Sequence, residues 1–167
     1  MTQSSGTDRS TRASQIVKAP REKVYQAFLD PDALATWLAP DTMRGRVESF
    51  DPRAGGTFRM SLTYMNQADA PRGKTSDDTD SFEGTFVELI PNEKIVWVTE
   101  FDSPDPDFAG EMTITWMLTD AEGGTEVTVL FNDIPTGVRL EDNELGSQQS
   151  LRKLAAYVER GTSANPA

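Results

Sequence analysis

The chain has 167 residues, which is enough for one domain with a substantial hydrophobic core. It contains neither cysteine nor histidine, so disulfides, thiolate nucleophiles and cysteine-rich zinc sites are excluded, and the usual general base is missing. The formal net charge of −11 argues against nucleic acid as a partner. No apolar run is long enough to cross a bilayer, and the polar N-terminus has no signal region. We therefore expect a cytoplasmic protein with no membrane partner, no metal and no cofactor.

The first forty residues predict a tail, a strand and two short helices. Residues 1–10 are rich in Ser and Thr and predict disorder, and residues 11–17 predict a strand. Pro20 is a good first helical residue, and the apolar face that follows consists of Val24, Ala27 and Phe28. Asp30 and Pro31 then predict the cap and first residue of a second helix. Its inward side consists of Leu34, Trp37 and Leu38.

Six further strands are predicted between these helices and the C-terminal region. Apolar and polar residues alternate, as in Phe58, Met60, Leu62 and Tyr64, which fall on one side of a strand. The short turns between successive strands favour antiparallel neighbours. A polar loop at 65–80 separates two of them. The predicted strands are 43–50, 57–64, 81–90, 93–101, 111–119 and 125–132.

The last long stretch predicts one amphipathic helix from Glu141 to Gly161, with Asp142 as its N-cap and Gly161 as its C-terminal stop. Its apolar stripe consists of Leu151, Leu154, Ala155 and Val158. Residues 162–167 then predict a flexible tail. A mostly antiparallel sheet has one apolar face to cover, and this helix is the natural cover. The sequence thus predicts an α+β fold for a single domain at 11–161.

Several segments, in this order and spacing, resemble the START-like or SRPBCC superfamily, also called the helix-grip or birch-pollen-allergen-like fold. Within it the chain is similar to the small stand-alone domains related to the activator of the heat-shock-protein-90 ATPase. The matching segments are KAPREKVYQAFLDPDALATWLAP (18–40), FDPRAGGTFRMSL (50–62), FEGTFVELIPNEKIVW (82–97), FAGEMTITWML (108–118), GGTEVTVLF (123–131) and IPTGVRLEDNELGSQQSLRKLAAYVE (134–159). The resemblance implies a curved antiparallel sheet of six to seven strands around a long C-terminal helix, with an apolar ligand between them.

Large apolar side chains in the strands and helices are the candidate cavity lining. Ligand sites are mostly apolar, and aromatic and methionine side chains suit such walls. For any one of these residues ordinary core packing is the favoured interpretation, and only as a set, together with the resemblance, do they favour a cavity. The candidate ligand-binding residues are Trp37, Phe58, Met60, Tyr64, Phe86, Trp97, Phe101, Met112, Trp116, Phe131, Leu151 and, as a polar member, Gln148.

Gln148 and Ser147 continue the apolar stripe of the last helix with groups that need hydrogen bonds if they are buried. In one interpretation they face the mouth of the cavity and orient the polar end of a ligand. In the other, the first turns of the helix project beyond the sheet and are hydrated. The sequence leaves both open.

Three functions follow as hypotheses. The first is binding of a small apolar or amphiphilic molecule without catalysis, and no catalytic residue is assigned. The second is a cyclase- or hydrolase-type enzyme acting on an apolar substrate in the same cavity, with Asp, Glu, Lys, Tyr or Arg as proton carriers. The third, implied by the resemblance, is an interaction with a chaperone as its ATPase activator. We expect a monomer or a homodimer.

Overall fold

The computed structural model describes residues 9–39, 43–64, 79–101, 103 and 105–163. Residues 1–8 of the predicted tail, 65–78 of the predicted loop, and 164–167 of the C-terminal tail lie outside the described residues. The strands are β1 (Ser10–Val17), β2 (Met43–Phe50), β3 (Thr57–Tyr64), β4 (Thr79–Ile90), β5 (Lys94–Phe101), β6 (Glu111–Ala121) and β7 (Gly124–Asn132). The helices are α1 (Arg21–Gln26), α2 (Pro31–Trp37) and α3 (Leu140–Ser163), with one 3-10 turn at Pro106–Phe108.

All seven strands form one antiparallel sheet in the order β1-β7-β6-β5-β4-β3-β2. The register shifts between Val47 and Ser49 in β2 and between Phe86 and Glu88 in β4. Such bulges increase the local bend and twist of a strand, so they help the sheet to curl. The curled sheet, the long C-terminal helix and the two short helices after β1 confirm the predicted α+β helix-grip fold.

The chain enters β1 one residue earlier than predicted. Ser10 pairs with Asn132 of β7, and the guanidinium of Arg9 donates to the backbone oxygens of Ile134, at 3.0 Å, and Val138. These bonds order the two residues at the end of the predicted disordered segment.

The predicted apolar stripe of α3 packs on the core, where Leu151, Leu154, Ala155 and Val158 are all buried. The helix is fixed to the end of α2 by Ser150 Oγ, which donates to Leu38 O at 2.5 Å, and by Lys153 Nζ, which donates to Ala39 O at 2.7 Å.

Both predicted ends of α3 are wrong. The helix begins at Leu140, so Asp142 lies inside the first turn rather than at the N-cap, where its charge still complements the helix dipole. Gly161 is inside the helix, which continues to Ser163. Glycine lowers helix propensity by only about 1 kcal/mol, and this cost does not by itself end a helix.

Aromatic rings fill the centre of the core. Trp116 lies 5.1 Å from Phe28 and 5.3 Å from Trp37 between ring centroids.

The cap of α2 forms as predicted, because Asp30 Oδ1 accepts from the backbone N–H of Asp32 at 2.9 Å. Among the described residues, no helix is both long and apolar enough to span a membrane.

Candidate functional site: a cavity between α3 and the sheet

A cavity of about 600 Å³ lies between the first turns of α3 and one end of the curled sheet. Tyr64 is the last residue of β3, and Asp80 is near the start of β4. Phe101 ends β5, Met112 lies near the start of β6, and Phe131 lies near the end of β7. Because neighbouring strands run antiparallel, these alternating starts and ends meet at the same end of the sheet. The fold therefore brings residues that are distant in sequence to one wall.

Six of the candidate residues line this cavity: Tyr64, Trp97, Phe101, Met112, Trp116 and Phe131. Five others lie in the solid core instead, outside the cavity lining, each 0–1% exposed: Trp37, Phe58, Met60, Phe86 and Leu151. Phe58 and Phe86 belong to the part of the sheet nearer the other end, where their rings are 5.2 Å apart. The positions of these five side chains match the alternative interpretation, in which they are ordinary core residues.

Gln148 does not reach the cavity. It is exposed, whereas Ser147 is buried and Gln149 is half-buried, and both of these neighbours line the cavity. At about 100° per residue, Gln148 points roughly 100–160° away from Gln149, Gly146 and Asp142, which line the cavity. Our expectation that Gln148 faces the cavity mouth is thus corrected, and the polar wall of α3 is formed by its neighbours. Ser147 Oγ also donates to Glu144 O at 3.0 Å.

Several lining residues were missed by sequence reasoning, including Phe82, Phe108, Ile114 and Val138. The strand alternation contained a signal for two of them. Phe82 shares a face with Phe86, and Ile114 lies between Met112 and Trp116 on one face of β6. Phe108 and Val138 lie outside the strands and α3, where period-two alternation carries no information.

The indoles of Trp97 and Trp116 line the cavity with their N–H groups buried. Within the described residues, neither Nε1 has a hydrogen-bond partner. Trp37, the third tryptophan, is different, since its Nε1 donates to Ala27 O at 2.9 Å. Leaving a buried donor unpaired costs about 1–3 kcal/mol. Two residues of the cavity lining therefore carry buried donors that the described chain does not satisfy.

Carboxylates and a phenol form the polar side of the cavity. Asp80 is 4% exposed, while Asp142 is exposed at the first turn of α3. Burial raises the pKa of Tyr64 above its ordinary value, and the negative charges of Asp80 and Asp142 raise it further. Both carboxylates are thus close enough to influence one hydroxyl group.

The cavity opens near Leu145, which lines it and is 55% exposed. Other acidic residues lie elsewhere, since Glu83 and Glu100 are exposed on the opposite face of the sheet. Among the described residues, no group of three or more acidic, Cys or His side chains is arranged to hold a metal ion.

Comparison with known proteins identifies the family to which the chain belongs. The family model described as activator of Hsp90 ATPase homolog 1-like protein matches residues 18–159. A crystal structure of a protein from Chromobacterium violaceum is 35% identical, with a TM-score of 0.79, and the match covers 90% of this chain and 96% of that one. The solution structure of the AHSA1-like protein from Aeromonas hydrophila is 21% identical, with a TM-score of 0.69 and coverage of 92% and 94%.

A more distant structural likeness is to DynU16, a protein of the dynemicin biosynthetic locus. It is 21% identical with a TM-score of 0.65, and the match covers 91% of this chain but only 48% of that one, so the likeness concerns the fold. Among curated proteins, no sequence gives a significant match. The family match extends from Lys18 in the segment before α1 to Glu159 in α3 and so includes nearly every element described above. The chain belongs to the family of activator of Hsp90 ATPase homolog 1-like proteins.

Proposed function

We propose that this protein binds a small apolar or amphiphilic molecule in the cavity between α3 and the sheet. The observation that carries the proposal is the cavity itself, whose volume of about 600 Å³ lies inside the range of about 300–1,000 Å³ usual for ligand sites. Its walls are mainly aromatic and aliphatic, and polar groups line it from α3 and from strands β4 and β5. This is the composition expected of a site that takes up an apolar body and orients one polar end.

The driving force for binding is the removal of apolar surface from water. Each buried CH₂ group of a ligand contributes about 0.8 kcal/mol, so a chain of several carbons gains enough to offset the entropy lost on binding. Met112 and Ile114 provide aliphatic contacts on β6, and Trp116 provides a broad aromatic surface on the same strand. The half-buried Gln149 and the buried Ser147 supply hydrogen-bonding groups on α3.

The chaperone hypothesis predicts an exposed apolar or charged patch. The large apolar side chains that are exposed in the described part of the chain, Ile16, Val87 and Leu145, lie on β1, β4 and α3. They belong to three different elements, and Leu145 is already part of the cavity mouth. These positions favour an internal site over an apolar docking surface.

A titration with Nile red, a neutral apolar dye, tests the proposal. We expect a saturable rise in fluorescence with wild-type protein. Ser147→Trp places a large side chain into the cavity and should abolish the rise. Gln148→Trp adds the same side chain one residue away on the exposed flank of α3 and is the matched control. An absent rise in wild type, or equal effects of the two substitutions, would refute the proposal.

A further inference from the structure

We infer that Asn143 binds the polar end of the ligand, and that this end is an uncharged hydrogen-bond acceptor, such as the carbonyl oxygen of a ketone or an ester. This inference rests on the proposed function and narrows it to one residue and one chemical class. Two features of the lining support it: the direction in which the amide of Asn143 is held, and the internal contacts of the other polar side chains of α3.

The amide of Asn143 is held in place by β1. Asn143 lines the cavity from the start of α3 and is half-buried. Its Oδ1 accepts from Thr11 Oγ1 at 2.5 Å, and Thr11 is itself buried in β1. Because this bond engages the oxygen of the amide, the two N–H groups of Nδ2 are left as donors. Nδ2 has no hydrogen-bond partner in the part of the chain that the structure describes.

Other polar side chains of α3 that line the cavity are engaged within the protein. Ser147 Oγ and Ser150 Oγ each donate to a backbone oxygen, at 3.0 Å and 2.5 Å. Each hydroxyl has only one proton to donate, so neither has a donor left for a ligand. Gln149 also has an interaction partner. Asn143 is thus set apart by a donor group that the described protein leaves unused.

This unused donor favours a ligand that carries an acceptor. When an apolar ligand displaces water from the cavity, the N–H groups of Asn143 lose their hydration, which costs free energy unless another acceptor replaces the water. A carbonyl oxygen on the ligand restores the hydrogen bond. The rest of the ligand can then be apolar, in keeping with the aromatic and aliphatic walls.

A carboxylate end is not favoured at this position. Arg139 is the one basic residue in the described lining, its side chain is 71% exposed, and its guanidinium lies 3.9 Å from the carboxylate of Glu141. Water and Glu141 therefore weaken its attraction for an anion. Because burying an ionised carboxylate without a paired charge costs far more than burying a carbonyl group, an uncharged acceptor fits better.

An ammonium end is not favoured either, because it has only donors and cannot accept from Asn143. The buried, unpaired N–H groups of Trp97 and Trp116 are donors as well, so their pairing would also require an acceptor. Asp142 lines the cavity, but its side chain is exposed to water. Asp80 is buried and already has an interaction partner. Neither carboxylate is therefore a free buried anion that would retain a cation.

The test compares two neutral molecules with the same skeleton. Butyrophenone carries a carbonyl group where butylbenzene has a CH₂ group. Their affinities are measured by displacement of bound Nile red, and each inhibition constant is corrected for the affinity of the dye in that variant. The readout is the effect of a substitution on the ketone relative to its effect on the hydrocarbon.

Asn143→Asp keeps an oxygen that can accept from Thr11 but has no N–H group to offer. We expect it to weaken butyrophenone by at least about fivefold, the value of one hydrogen bond, and butylbenzene by less than about twofold. Asn143→Ala removes the same donors without adding charge and should also weaken the ketone more than the hydrocarbon. Gln148→Glu adds the same charge on the exposed flank of α3, outside the cavity lining, and should change neither affinity.

The outcomes distinguish the inference from the proposed function. Equal losses for the two molecules in both Asn143 variants, no loss of butyrophenone affinity, or the same selective loss in Gln148→Glu would overturn the inference, while butylbenzene binding by the wild type supports the cavity. If neither molecule nor Nile red binds to the wild type, the proposed function fails, and the inference fails with it.

Discussion

The indoles of Trp97 and Trp116 lie 5.5 Å apart between ring centroids, inclined at 65°, and the buried N–H of each lacks a partner within the described residues. The fold thus leaves two donors unpaired in one aromatic pair beside the cavity. Unpaired buried donors destabilise the folded state, and in native structures they are uncommon. The pair therefore connects the packing of the core with the site.

Replacement of tryptophan by phenylalanine should have a different cost at different positions. Trp37→Phe removes a hydrogen bond and leaves the buried Ala27 oxygen without this donor. Trp97→Phe removes a donor that is already unpaired. We expect Trp37→Phe to lower the free energy of unfolding by about 1 kcal/mol more than Trp97→Phe does. Urea unfolding measures both, and a larger loss at Trp97 would contradict the assignment of the unpaired donor.

Gly84 should not tolerate a methyl group. A Cβ atom at this position would lie 2.4 Å from ring atoms of Phe58, its neighbour across β3 and β4. Because both strands are in the core, we expect Gly84→Ala to lower the free energy of unfolding by about 1–3 kcal/mol.

A double-mutant cycle with Phe58→Leu tests the cause. The smaller side chain makes room for the methyl group, so the loss caused by Gly84→Ala should be smaller in that background. Additive losses would show that contact with the Phe58 ring is not responsible.

Ser147→Trp provides a test of the cavity that needs no ligand. If the space in front of Ser147 is open, the indole fills it, and the free energy of unfolding should change by less than about 1 kcal/mol despite the lost bond to Glu144 O. In a solidly packed interior the same substitution should cost about 1–3 kcal/mol or more. Thermal and urea unfolding of the two proteins discriminate between these results.

Deprotonation of Tyr64 should lower the free energy of unfolding at alkaline pH. Its pKa in the folded protein is raised above 10.0, first by burial and then by Asp80 and Asp142, so the folded state holds the proton more tightly than the unfolded state does. This contribution is fully present below about pH 10 and is lost as the pH rises through the folded pKa.

Asp142→Asn removes one of the two charges, so the pKa of Tyr64 should decrease towards its ordinary value. Phenolate absorbance, with Tyr64→Phe used to identify the signal, measures the change. Glu144→Gln is the control for net charge. The pKa of Tyr25 is raised by burial and serves as an internal reference. An unchanged pKa of Tyr64 in Asp142→Asn would show that this carboxylate does not act on the site.

The helices and strands could be predicted because each depends on a pattern among residues that are close in sequence. Asp30 and Pro31 predict the start of α2, and the spacing of Leu151, Leu154 and Val158 predicts the buried face of α3. The cavity could not be predicted residue by residue, because strand alternation identifies the inward face of a sheet but not the position along it. Phe58 and Phe101 both fall on the inward face of their strands, yet Phe58 lies in solid core and Phe101 lines the cavity.

The position of Gln148 shows a second limit. Residues 147 and 148 are both compatible with extension of the apolar stripe of α3, and sequence spacing alone does not choose between them. The cavity lies on one flank of the stripe, because the residues of α3 that line it include Asp142, Gly146 and Gln149. Only the docking of α3 against the sheet and α2 decides which flank is enclosed. That docking depends on contacts such as Lys153 to Ala39 O.

The most direct test of the central claim is the response of the three indole N–H resonances in an NMR titration with decanol, a neutral probe. We predict saturable shifts for Trp97 and Trp116, which line the cavity, and the smallest shift for Trp37, which lies in the solid core. Indole resonances that stay unchanged at saturating probe, or that shift most strongly at Trp37, would contradict ligand binding between α3 and the sheet.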